Sequence, residues 1–176
     1  MNRQVIDGMI IAAVLALGAT HLFAQSAASR RVLRPNQAGG TTGNAMHGMR
    51  GPNGGAAAAG RGFATDGQGN AAGGSGAMVQ GPGGAQGARA GTWQRGSDGS
   101  GQHQSGGAAS GARGTASMSG STTKNANGWV NGSRTTTAEA TSGATYSGQT
   151  TYATGSGVTH SGTCTTAAGQ VIDCPR

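Results

Sequence analysis

Large aliphatic side chains are crowded at the start of this chain and almost vanish afterwards. Met9–Leu17 is a nine-residue apolar run, followed by the break Gly18-Ala19-Thr20 and then Leu22-Phe23-Ala24. Leucine does not recur after Leu33, and Ile172 is the one isoleucine after Ile11. A short polar start carrying Arg3, a run of this length and small residues behind it predict a secretory signal peptide over residues 1–24. Cleavage after Ala24 leaves a small residue at the last position, and Ala28 is a second candidate. The competing reading is an inner-membrane anchor made by residues 5–24, because Arg30, Arg31 and Arg34 follow the run and basic residues favour the cytoplasmic side.

Behind the signal the pattern divides into three zones. Residues 25–35 form a basic connector. Residues 36–120 are a Gly/Ala/Ser/Gln low-complexity segment, and 27 of these 85 are glycine. Their large apolar side chains are Met46, Met49, Phe63, Met78, Val79, Trp93 and Met118. Burying seven side chains cannot offset the conformational entropy of ordering so glycine-rich a segment, so residues 36–120 are expected to be disordered. Residues 121–176 differ: threonine becomes frequent, and Trp129, Tyr146, Tyr152, Val158, Val171 and Ile172 appear. These residue types favour extended structure. With breakers at Asn127-Gly128, Asn131-Gly132, Ser142-Gly143, Ser147-Gly148 and Gly155-Ser156-Gly157, they predict a small antiparallel meander. The fold class expected is a mostly disordered Gly-rich chain with a small C-terminal β hairpin or meander.

Both cysteines, Cys164 and Cys174, lie in the last thirteen residues, and behind an export signal they are expected to pair. Direct opposition of the two would match Thr166 with Ile172 across the loop Ala168-Gly169-Gln170, with a register uncertain by one. Tyr146, Tyr152, Val158 and Cys164 also fall six residues apart, too few steps to stack as a β-helix.

The chain carries twelve Lys and Arg against five Asp and Glu, a net charge of +7. Such a balance suits anionic envelope polymers or lipid surfaces as partners, and unpaired strand edges would allow self-association. No small-molecule substrate, cofactor or enzymatic activity is inferred, because the carboxylates Asp66, Asp98, Glu139 and Asp173 are isolated from one another in sequence. Gly67-Gln68-Gly69-Asn70-Ala71-Ala72 matches a dinucleotide fingerprint only in letters, since no apolar strand precedes it and no helix pattern follows.

Three weaker constellations remain. Met46, His47 and Met49 offer thioether and imidazole ligands of the kind that suit Cu(I), which makes periplasmic copper binding an alternative function. Arg50-Gly51, Arg61-Gly62-Phe63, Arg95-Gly96 and Arg113-Gly114 are similar to RGG-type segments that bind nucleic acid or other polyanions, a reading the export signal argues against. Trp129, Tyr146 and Tyr152 are candidate contact aromatics. In composition, the Asn-Gly pairs and threonine runs resemble glycine- and threonine-rich proteins of Gram-negative envelopes, and that resemblance implies no activity. The function expected is that of an exported structural or adhesive envelope protein.

Overall fold

The computed structural model describes residues 27–174, so the predicted signal or anchor falls outside the described residues. Among the described residues there is no helix, and the regular structure is one antiparallel sheet. Its strands are β1 (Ala28–Pro35), β2 (Thr41–Arg50), β3 (Ala56–Thr65), β4 (Ala71–Gln80), β5 (Gln86–Arg95) and β6 (Gly101–Gly111). They continue with β7 (Gly114–Lys124), β8 (Val130–Ala140), β9 (Thr145–Ala153), β10 (Gly157–Thr165) and the two-residue β11 (Val171–Ile172). Strand order in space is strand order in sequence, so every pairing is with the preceding or following strand.

The expectation of a mostly disordered chain is therefore wrong. Residues 36–120, read as disordered, contain β2 through β6 and most of β7. Side-chain burial is slight, since among the described residues Ala72 is the one buried hydrophobic residue. Order here comes from the backbone. Nearest-neighbour pairing closes only very short loops, which keeps the entropic cost of each added strand low. The ladder then satisfies the N–H and C=O groups that glycine leaves open to solvent.

The turns carry the periodicity that the strands conceal. Gly39, Gly54, Gly69, Gly84 and Gly99 all have positive φ, between 77° and 94°, and stand fifteen residues apart. Most turns are three-residue loops closed by two backbone bonds, as where Gly54 N–H donates to Gly51 O (3.3 Å) and Gly51 N–H to Gly55 O (2.7 Å). That is a type I turn with a left-handed residue in third place, the position that favours glycine. Pro52 and Pro82 sit in first place, where their fixed φ suits the turn.

Side chains brace several turns. Asn36 Oδ1 accepts from Ala38 and Gly40 N–H, both at 3.0 Å. Asp66 Oδ1 accepts from Gln68 N–H (2.8 Å) and Asn70 N–H (3.1 Å), and Asp98 Oδ1 from Ser100 N–H (2.9 Å).

The C-terminal region is an antiparallel meander, with boundaries that differ from those expected. Asn131-Gly132 and Ser147-Gly148 are not turns; they lie inside β8 and β9. Asn127-Gly128 is a turn, but as the end of a three-residue loop. The disulfide joins Cys164 to Cys174 with Cα atoms 5.2 Å apart. Cys164 faces Ile172 rather than Cys174, and the loop is Ala167-Ala168-Gly169, with Gly169 last at φ +82°. The bridge is thus diagonal, reaching past the end of β11 to pin it across Cys164 and Thr165.

Gly54 and Gly84 have positive φ and open space where a Cβ would stand. Alanine at either position is therefore expected to destabilise the sheet by about 1 kcal/mol through backbone strain alone. Gly48→Ala, at negative φ with its nearest neighbour 3.5 Å away, is expected to cost less; urea titration of the three variants checks the difference.

Candidate functional site

Residues paired across strands share a face of the sheet, and neighbours along a strand alternate between faces. Following the register from β1 to β10 therefore divides the strand residues into two sets. On one face lie Arg31, Arg61, Arg89, Arg95, Lys124 and Arg134, with His47, His103 and His160. Phe63, Trp93, Tyr146 and Tyr152 share it. No strand residue on this face is acidic: Asp66 and Asp98 are in turns, and Glu139 points to the other side.

The opposite face is mostly small and polar. One row across it reads Asn44, Gly62, Gly74, Thr92, Gln104, Ser121, Ser133, Thr151 and Thr159. Hydroxyls and amides link adjacent strands there, with Ser117 Oγ to Thr137 Oγ1 at 2.7 Å and Thr123 Oγ1 donating to Asn131 Oδ1 at 2.7 Å. Its strand cations, Arg30, Arg34 and Arg50, belong to β1 and β2.

The basic face is organised around one row. Leu33, Gly43, Phe63, Gly73, Trp93, His103, Thr122, Gly132, Tyr152 and Val158 stand side by side across ten strands. In its first half, large and absent side chains alternate, and the large ones lean into the gaps. Leu33 and Phe63 converge over Gly43, and the benzo ring of Trp93 covers Gly73, its Cε2 and Cζ2 both 2.7 Å from where a Cβ would stand. Gly43 and Gly73 are buried in consequence. Phe63 and Trp93 keep 38% and 37% of their surface exposed, so each ring shields backbone below and offers area above.

This half of the face holds a shallow concavity of about 390 Å³, lined by Arg31, Leu33, Ala45, Arg61, Phe63, Ser75 and Trp93 among others. Arg31 and Arg61 occupy the row beside the aromatic one, again two strands apart with Ala45 between them. At the other end of the same face, His160 meets Thr150 Oγ1 (2.8 Å) and Tyr146 OH (3.3 Å), and Arg134 Nη2 donates to Met118 Sδ. The arrangement can bind, and among the described residues no strand carboxylate of this face stands beside the His160 imidazole.

The residues singled out in the sequence are distributed as follows. Met46 lies on the opposite face, paired with Arg30, whereas His47 and Met49 lie on the basic face, so strand alternation separates the three candidate metal ligands. Among the described residues no group of three or more His, Cys, Asp and Glu side chains is placed to hold a metal ion. Tyr146 and Tyr152 share the basic face, about 20 Å apart along β9 at 3.3 Å per residue. Trp129 closes the turn between β7 and β8, near Gly155. Of the three aromatic rings that the fold sets in one row, Tyr152 is a candidate from the sequence, whereas Phe63 and Trp93 are not. Their signal was available: Leu33, Phe63 and Trp93 are thirty residues apart, as are Arg31 and Arg61. No protein family, curated protein or solved structure matches this chain.

Two outcomes are expected. Gly73→Ala places a methyl against Trp93 and 2.6 Å from Gly62 O; overpacking of this kind costs about 1–3 kcal/mol. The displaced indole should shift its fluorescence to the red. Separately, the Asp66 carboxyl is held below the usual aspartate range, first by the Asn70 side-chain amide and then by Gln68 N–H. A depressed folded-state pKa gives stability that is present above the unfolded value and lost as pH falls through the folded one. NMR titration should find the Asp66 midpoint under 3.8, and Asp66→Ala should flatten the acid limb of the stability curve.

Proposed function

We propose that this protein is an exported structural or adhesive component of the cell envelope or its exterior, held to anionic polymers by the basic face of its sheet. The observation that carries the reading is the segregation of charge. Arg31, Arg61, Arg89, Arg95, Lys124 and Arg134 share one face with no strand carboxylate, whereas the strand charges of the opposite face are Arg30, Arg34 and Arg50 against Glu139. A flat array of like charges attracts a long polyanion by many weak contacts rather than one pocket. Arginine, the cation at five of these six positions, makes bidentate bonds to carboxylate, sulfate and phosphate groups.

The apolar run Met9–Leu17 supports export.

The test is binding of the protein to a soluble polyanion, such as a uronate polymer, at increasing salt. Affinity should fall by at least about tenfold between 50 and 200 mM salt, as counterion release requires. Replacing Arg61, Arg89 and Arg134 together with Gln should remove most of it, while Arg30→Gln with Arg34→Gln, on the other face, should change it by less than about twofold. Equal binding to a neutral polymer, or equal losses from the two faces, would count against the proposal.

A further inference from the structure

Leu33, Phe63 and Trp93 recur at intervals of thirty residues, which is two strands and two turns, so each lands in the same row two strands further on. At about 4.8 Å per strand the repeat along the row is about 9.6 Å. Arg31 and Arg61 follow the same interval in the adjacent row, on one side of the apolar strip. The strip is continuous, because Gly43 and Gly73 let the larger side chains lean over them. It therefore runs perpendicular to the strands from β1 to β5, about 19 Å long, with Arg31 and Arg61 on one margin at β1 and β3, Gly91 in that row at β5, and Arg95 on the other margin at β5.

We infer that this strip is a binding site for an extended acidic polysaccharide whose charge falls on every second sugar, lying across the strands. The inference rests on the polyanion reading above and narrows it to a chemical class. Half-exposed rings backed by glycine present the apolar platform that the C–H faces of a pyranose require. Their 9.6 Å interval matches two extended sugar rings, so one ring of each pair stacks and its neighbour spans the gap. Each disaccharide then brings one carboxylate or sulfate to one guanidinium, Arg31 or Arg61. A single-stranded nucleic acid fits less well, since it carries a phosphate at every nucleotide and stacks successive bases. The guanidiniums of the strip fall only at every second strand.

The test uses the protein carrying Trp129→Phe, which leaves Trp93 as the one tryptophan of the two. Its emission is followed against four probes of matched length: an alternating glucuronate–N-acetylglucosamine oligosaccharide, a uronate homopolymer, polyphosphate and oligothymidylate. The alternating oligosaccharide should shift Trp93 emission and bind at least about tenfold more tightly than the homopolymer, despite half its charge. Phe63→Leu keeps Gly43 covered but removes the ring. It should weaken the alternating oligosaccharide about tenfold while leaving polyphosphate within about twofold, which also reports that the sheet is intact. Arg61→Gln should weaken the alternating oligosaccharide by a similar factor.

Equal affinity for the two saccharides, or equal losses for saccharide and polyphosphate in Phe63→Leu, would overturn the inference. A stronger Trp93 response to oligothymidylate would do the same. The polyanion reading survives each of those outcomes, and in this experiment falls if none of the four probes binds in a salt-dependent way.

Discussion

Everything in this structure depends on backbone hydrogen bonding between strands adjacent in sequence. Among the described residues Ala72 is the one buried hydrophobic residue, so no core holds a second layer against the sheet. Order must be assembled one strand at a time, each added strand pairing with the one before it. Such a chain behaves almost as a one-dimensional array, in which stability is a sum over neighbours. The design works because each loop is short and ends on a residue that accepts positive φ. A longer loop, or a side chain in that place, would charge each interface more than one ladder returns.

The glycines serve two purposes that pull in opposite directions. In the turns they supply left-handed geometry. Within the strands they weaken the sheet, because they bring no side chain to pack and lose the most entropy on ordering. The basic face repairs part of that loss. Leu33, Phe63 and Trp93 lean over Gly43 and Gly73, so a large side chain covers the backbone left bare beside it, a pairing also used to rescue glycines in built sheets. Tyr146 does the same for Gly148 and Gly162 in the C-terminal half. The aromatic row is thus structural beneath and available above, which is how one set of residues can stabilise a sheet and present a surface.

Open sheets carry a hazard at their edges, and the two ends of this one differ. β1 contains Arg30, Arg31, Arg34 and Pro35, which discourage another strand from pairing with it. At the far end the disulfide pins β11 across Cys164 and Thr165 alone, and the rest of β10 has β9 as its one strand partner among the described residues. The two faces are the broad surfaces this molecule offers, and they differ in charge.

The sequence by itself determined the scarcity of core-forming residues, the net positive charge, the pairing of Cys164 with Cys174 and the extended character of residues 121–176. It also contained the rest in a form that composition hides. The turn glycines at 39, 54, 69, 84 and 99 are fifteen apart, but glycine is so common between them that the interval is buried in noise. Phe63 and Trp93 read as two stray aromatics in a flexible segment for the same reason. Only the tertiary structure decided which residues face together, because that depends on register, and a slip of one residue sends every side chain to the other side. Register split Met46 from His47 and Met49. Register also gathered arginines from β1, β3, β5 and β8 onto one face, although nothing in their local sequence distinguishes them from Arg30, Arg34 and Arg50 on the other.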